Sequence, residues 1–254
     1  MSSNSDFGLA GVEAASLDRV PNLFLLDTSY SMTGETTDIE GEEKAKIKQV
    51  NDGLEIFTEE ISDDNKAEIS IDVSIVTFGD DVTVEQEFQP INDAWIDGDG
   101  PPELNAVGTT PMNQAIVEGL QHLEEYKDAV DDQNLPRKRA LVWLLTDGEP
   151  DYGPGSQEWD KAQSLIEKGT DEDRLFFYAV GIGDDADIGT LEELVSPADE
   201  SDVAAFQLEE NMFKEFFRIA SKSATGSVTG EGETAEDTLE EDTEAMAQQD
   251  LSDN

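Results

Sequence analysis

The chain contains no cysteine. Disulfides, thiolate nucleophiles and zinc–cysteine sites are therefore excluded. Basic residues are scarce: 15 Lys and Arg stand against 61 Asp and Glu, a formal net charge of −46. No basic stripe exists to neutralise phosphates, which excludes nucleic acid and anionic membrane as direct partners. The one short basic cluster, Arg137-Lys138-Arg139, precedes an apolar run and reads as an anchor for a strand entrance. No window approaches the roughly 18 consecutive apolar residues of a membrane helix. The first twenty residues, MSSNSDFGLAGVEAASLDRV, lack the charged and apolar regions of a secretory signal. These absences lead us to expect a soluble, cytoplasmic protein.

The acidic excess has a physical setting. In dilute salt such a charge repels itself and opposes compaction. In molar salt the Debye length falls to about 3 Å and most of that repulsion is screened. The acids are spread along the whole chain, so we expect a protein of a salt-filled cytoplasm, as in a halophilic organism, rather than a nucleic-acid mimic with one acidic patch. The 37% hydrophobic content of the 254 residues is enough for one core.

Strand and helix periods alternate along that core. Asn22–Leu26, Ala140–Leu145 and Leu175–Val180 are continuous apolar runs, which read as buried parallel strands. Glu68–Phe78 and Val82–Phe88 alternate around the turn Gly79-Asp80-Asp81, which reads as an antiparallel hairpin. Ala204–Leu208 is a last short strand. Helical periods cover Glu43–Ile61, Pro111–Val130, Glu158–Lys168, Ile188–Val195 and Asn211–Ser223, whereas Thr33–Glu43 and Ile91–Val107 read as loops. The alternation implies an α/β fold, doubly wound, with a mostly parallel central sheet, one antiparallel edge strand and helices on both faces. Residues 1–18 read as a flexible arm and 19–224 as the domain. Residues 225–254 carry no basic or aromatic residue and read as an acidic, disordered tail.

In such a sheet, ligands bind at the carboxyl ends of the strands. Three groups of hard oxygen donors fall there: Asp27-x-Ser29-x-Ser31 after the first strand, Gly108-Thr109-Thr110 before a helix, and Thr146-Asp147-Gly148 after the most apolar strand. The mixture of two carboxylates and several neutral hydroxyls suits Mg²⁺, which takes octahedral oxygen ligands and keeps several waters. Mn²⁺ and Ca²⁺ accept the same donor class. Hydroxyls compensate the ion's charge only partly, so an incoming carboxylate can complete the shell. Glu149 and Asp151 read as solvated neighbours. Asp184-Asp185-Ala186-Asp187 reads as an acidic turn capping the next helix, without the spacing of an EF-hand. The lone histidine, His122, and the tryptophans Trp95, Trp143 and Trp159 read as structural residues.

Asp27-Thr28-Ser29-Tyr30-Ser31, Gly108-Thr109 and Thr146-Asp147-Gly148, in this order and context, resemble the metal-ion-dependent adhesion site (MIDAS) of von Willebrand factor type A (vWA) domains. The likeness spans about residues 20 to 224. The segments VPNLFLLDTSYSM, QVNDGL, VSIVTFGDDV, GTTPMNQAI, LLTDGEPD and AVGIGDDADIGTLEEL look like the tellurium-resistance TerY/YegL-type branch. The resemblance implies a metal held by Ser29 and Ser31 directly, by Asp27 and Asp147 largely through water, and by Thr109 from the second loop. The order Gly-Thr-Thr leaves Thr110 as the alternative. Tyr30 departs from the pattern, where the family commonly has glycine. The implied function is a divalent-metal-dependent protein-binding module, not an enzyme, whose partner supplies an Asp or Glu to the metal. The TerY likeness implies a stress- or tellurite-resistance complex. Two other classes compete: a chelatase-type assembly subunit acting beside a separate ATPase, and a metal-dependent hydrolase. The hydrolase is disfavoured by Ser29 standing where an aspartyl phosphatase needs a second acid. There is also no basic residue in the motifs to hold a phosphate.

Overall fold

The computed structural model describes residues 17–38, 41–183, 186–199 and 201–230. The expected arm up to residue 16 and the expected tail from 231 lie outside them. In chain order the elements are β1 (Val20–Asp27), β2 (Glu35–Thr37), β3 (Glu43–Ala45), α1 (Lys46–Ser62), α2 (Ala67–Ser70), β4 (Ile71–Phe78) and β5 (Val82–Pro90). There follow α3 (Met112–Asp132), β6 (Ala140–Thr146), α4 (Gln157–Asp171), β7 (Leu175–Ile182), α5 (Ile188–Val195), β8 (Val203–Leu208) and α6 (Phe213–Thr229).

Six strands form one sheet in the order β5-β4-β1-β6-β7-β8. Every pairing is parallel except that of β5, which runs antiparallel to β4 at the edge. β1 is buried along its whole length because both faces of the sheet are covered. Its side chains alternate between the faces, as the strand period requires. Phe24 and Leu26 face a core shared with Val50, Leu54 and Phe57 of α1 and Phe216, Phe217 and Ala220 of α6. Leu23 and Leu25 face a second core with Ile116, Leu120 and Leu123 of α3, Trp159 of α4 and Leu191 of α5. Each such Val, Leu, Ile or Phe side chain contributes about 1.5–3 kcal/mol through burial. At Gly53 a Cβ would fall 2.0 Å from the Phe217 ring, so glycine there sets how closely α1 and α6 approach.

The chain leaves β1 in both directions. One crossover, through α1, leads to β4; after β5, α3 carries the chain across to β6 on the other side of β1. β1 and β6 therefore flank the point where the winding reverses, and their carboxyl ends open a crevice there.

At the amino ends of the strands, opposite the crevice, the entry to β1 is tied to β4 and α3 by buried charge. The Arg19 guanidinium donates through Nε to Asp72 Oδ2 at 2.6 Å and through Nη2 to Oδ1, while the Tyr126 hydroxyl donates to Oδ2. Burial pushes the Asp72 carboxyl above its ordinary range against the opposing pull of Arg19. The expected strand-entrance anchor lies nearby: Arg137 pairs with Asp131, Lys138 with Asp18, and Arg139 with Asp202 while lying 3.8 Å over the Phe176 ring.

Several boundaries differ from the sequence expectation. The helix expected from Glu43 starts at Lys46, because Glu43–Ala45 instead pairs antiparallel with Glu35–Thr37 in a two-stranded ribbon. Residues expected to begin the β4 strand form the short helix α2. The loop Ile91–Val107 contains a helical turn over Asn92–Ile96, which buries Trp95. The closing helix runs to Thr229, past residue 224, because Ala224 and Val228 are buried in the core. Trp143 and Trp159 are packing residues, as expected. His122 stacks on Phe88 at 5.1 Å, with Nε2 3.1 Å from the Ser74 hydroxyl, and burial lowers its pKa. Asp187 caps α5 by accepting from Gly189 N and Thr190 N, and Asp184 and Asp185 lie outside the described residues.

Candidate metal centre

β1 ends in Asp27, and the chain then turns through Thr28 and Ser29 into a single helical turn, Tyr30–Thr33. Asp27 fixes this turn itself: Oδ1 accepts from Ser29 N at 2.7 Å. Its other oxygen, Oδ2, accepts from Thr146 Oγ1 at 2.6 Å, across the β1–β6 pair. The carboxylate is fully buried, and among the described residues no basic side chain pairs with it. Burial pushes its pKa up from 3.8 to about 6, with the nearby Asp147 charge adding to the effect and the bonds from Ser29 and Thr146 opposing it.

The turn brings Ser29 Oγ and Ser31 Oγ to 2.8 Å from each other. The Ser31 hydroxyl donates to Asp147 Oδ1 at 2.6 Å, so the first and third motifs meet directly. Asp147 is fully buried as well. Its Oδ2 accepts from Lys46 Nζ at 3.0 Å, and Glu210 Oε1 lies 3.8 Å from the same ammonium.

The second motif arrives from above. Tyr30 N donates to Gly108 O at 3.0 Å, and Val107 N to Thr28 O at 2.6 Å, which lays this loop across the β1 exit. Gly108 has φ +90°, and a Cβ there would fall 2.1 Å from Asp80 N, so both conformation and space require glycine. Thr109 Oγ1 donates to Asp151 Oδ2 at 2.7 Å, while Thr110 N donates to Asp151 Oδ1 at 3.1 Å. A Cβ built on Gly148 would lie 4.0 Å from both Ser31 Oγ and Thr110 Oγ1. The Thr110 hydroxyl thus borders the same open space as Ser31, and the Thr109 hydroxyl is engaged with Asp151.

Asp27, Ser29, Ser31 and Asp147 are joined in one hydrogen-bonded cluster at the reversal point, and Thr110 stands beside it. This oxygen set fits a small divalent cation on two counts. Cis ligands of an octahedral ion bound at about 2.0–2.1 Å lie about 2.9 Å apart, close to the Ser29–Ser31 separation. The glycine at 148 leaves the space between the hydroxyls unfilled, next to a buried carboxylate with no basic partner among the described residues. Among the described residues no group of three or more His, Cys, Asp or Glu side chains gathers to hold a metal. The centre is instead rich in hydroxyls and poor in charge.

The roles of three residues here escaped the sequence reading. Asp151, expected to be a solvated neighbour, brackets the Thr109–Thr110 loop. Thr146 orients Asp27. Lys46 places an ammonium on Asp147. A signal for Lys46 was present: a lysine at the first position of a helix runs against the macrodipole, which favours acid there.

The large hydrophobics exposed among the described residues are Tyr30 (73%), Val84, Val107 (51%) and Tyr152 (55%). Tyr30 follows Ser29, Val107 precedes Gly108, and Tyr152 follows Asp151, so three of the four stand on loops that carry the centre. No helix among the described residues is long and apolar enough to cross a membrane.

No curated protein matches the sequence. Solved structures show the same fold at low identity. The PilB minor pilin from Streptococcus sanguinis matches with a TM-score of 0.58 and 15% identity, covering 86% of this chain and 64% of that one. The chain thus spans less than two thirds of that pilin. The vWF domain of the type V pili tip protein Mfa5 from Porphyromonas gingivalis matches with a TM-score of 0.53 and 9% identity, over 84% of this chain and 97% of that one. The family model of the von Willebrand factor type A domain matches residues 23–218, from the middle of β1 into α6. The chain belongs to the von Willebrand factor type A domain family.

Proposed function

We propose that the cluster is a metal-ion-dependent adhesion site and that the protein is a divalent-metal-dependent protein-binding module. The observation that carries this reading is the Ser29–Ser31–Asp147 network at the strand ends, with buried Asp27 behind it and Thr110 beside it. Ser29 and Ser31 would bind the ion through their hydroxyls, Asp27 and Asp147 would act mainly through bound water, and Thr110 would supply the second-loop hydroxyl. Thr110 is preferred to Thr109 because Thr109 donates to Asp151. Mg²⁺ fits the donor set best, and Mn²⁺ and Ca²⁺ share it.

The ion would supply an open, electron-poor position for a carboxylate of a partner protein. Tyr30, Val107 and Tyr152 form an apolar rim for the surface around that carboxylate. No enzymatic role is proposed: the hydroxyls and carboxylates of the cluster are assigned to the metal. The setting we propose is the cytoplasm of a salt-accumulating cell, in keeping with the net charge of −46. A role in a stress- or tellurite-resistance complex follows from the TerY-type motifs alone.

The test is affinity capture in molar KCl, with Mg²⁺ and with EDTA, using the wild type and the double variant Ser29→Ala plus Ser31→Ala. A partner retained only with Mg²⁺, and only by the wild type, supports the proposal. A partner held equally by the double variant in a metal-dependent way refutes the site.

A further inference from the structure

Lys46 is 5% exposed, in a chain with only 15 basic residues. Its backbone N donates to Gly34 O at 2.8 Å, which pins the start of α1 beside the turn that carries Ser29 and Ser31. Its side chain then passes over Gly34: a Cβ there would lie 3.9 Å from Lys46 Cε and 3.1 Å from Ser31 O. The ammonium ends 3.0 Å from Asp147 Oδ2, while the other oxygen of that carboxylate accepts from Ser31. Glu210, in the segment between β8 and α6, stands 3.8 Å away on the outer side. The cation is thus held one carboxylate away from the serine hydroxyls.

The consequence is electrostatic. The two buried acids of the centre carry two negative charges, and Lys46 cancels one of them; Glu210 is half exposed, so solvent screens its charge from the buried centre. A divalent ion seated there leaves the centre with one net positive charge; without Lys46 the same centre would be neutral. We propose that Lys46 is a tethered cation that weakens metal binding by the empty-handed protein and makes the loaded centre demand an anionic ligand. This rests on the adhesion-site reading and deepens it. Like charges held one carboxylate apart in a partly buried site repel enough to change an affinity more than tenfold. A carboxylate that joins the metal relieves the repulsion, so metal and ligand each tighten the binding of the other. Lys46 acts here as a positioning and charge-setting residue, not as a metal ligand.

The experiment uses MnCl2 as the probe, at pH 7.5 in 2 M KCl, with affinity read by calorimetry and by the loss of free-Mn²⁺ EPR signal. The full chain is compared with Lys46→Met, Lys46→Gln and Lys46→Arg, each with and without sodium acetate. Lys44→Met serves as a control, because Lys44 pairs with Asp38 and Asp52 instead. We expect Mn²⁺ to bind Lys46→Met and Lys46→Gln at least tenfold more tightly than the wild type, with Lys46→Arg and Lys44→Met staying within threefold. Acetate should tighten Mn²⁺ binding more in the wild type than in the Met and Gln variants. Equal or weaker Mn²⁺ affinity in both uncharged variants overturns the inference and leaves the metal site standing. No Mn²⁺ binding by any of the proteins overturns the metal reading and the inference with it.

Discussion

Asp27 offers a prediction that can be worked through from its surroundings. Its carboxyl is fully buried, with no basic partner among the described residues, and its pKa is raised from 3.8 to about 6, chiefly by burial. Between those values the folded protein holds the proton more tightly than the unfolded chain does. The stability conferred by the protonated form is therefore complete below about pH 3.8 and is lost as pH rises through about 6. Two units at about 1.36 kcal/mol each make a cost of about 3 kcal/mol at pH 7.5. Asparagine is nearly isosteric, keeps the acceptor for Ser29 N and carries no charge. In EDTA, Asp27→Asn should therefore match the wild type near pH 4 and exceed it by about 3 kcal/mol at pH 7.5. For a domain of this size that corresponds to a Tm higher by roughly 6–12 °C. Comparing the two proteins at each pH cancels the titration of the many other acids. With saturating Mg²⁺ the order should narrow or reverse, because the ion stabilises only the protein that binds it. The reasoning is refuted if the stability difference in EDTA is flat from pH 4 to 8, or if the wild type is the more stable at pH 7.5.

Other perturbations separate the fold from the site. Arg19→Met strands the buried Asp72 charge at the amino ends of the strands, away from the centre, so urea denaturation should show a loss of about 3–5 kcal/mol, while the Mn²⁺ affinity of the folded protein stays unchanged. Gly53→Ala pushes a methyl group into the Phe217 ring and should cost about 1–3 kcal/mol by the same assay, through the α1–α6 packing. Raising KCl from about 0.1 M to 1 M shortens the Debye length from about 10 Å to about 3 Å, so thermal scans should show Tm rising over that range. A Tm independent of salt would contradict the self-repulsion expected of this chain.

The parallel strands were legible in the sequence because they are buried on both faces and read as unbroken apolar runs, such as Ala140–Leu145. The meeting of Asp27, Ser29, Ser31 and Asp147 was legible because hard oxygens at D-x-S-x-S spacing follow one buried strand and Asp147 follows its neighbour in the sheet. The β2–β3 ribbon was not legible. Its strands are three residues long, and charged or hydroxyl side chains carry no period over so short a span. The last turn of α6 was read as tail because Thr225–Thr229, TGSVT, is made mostly of small residues, and only the tertiary burial of Val228 reveals the helix there. The Thr109–Thr110 register could not be set from two adjacent hydroxyls; in the structure the Thr109 hydroxyl donates to Asp151, and the Thr110 hydroxyl borders the space beside Ser31. Lys46 is one of three lysines between residues 44 and 48, and its place at the first position of α1 was a signal, but only the structure sets its ammonium against Asp147.

The most direct test of the central claim is a crystal of the full chain grown with MnCl2 and measured at the manganese absorption edge. The account predicts one strong anomalous peak at direct-ligand distance, about 2.0–2.3 Å, from Ser29 Oγ and Ser31 Oγ, with Asp27 and Asp147 close by. Data from a Mn²⁺-saturated crystal with no peak between those hydroxyls, or with manganese bound only elsewhere on the acidic surface, would contradict it.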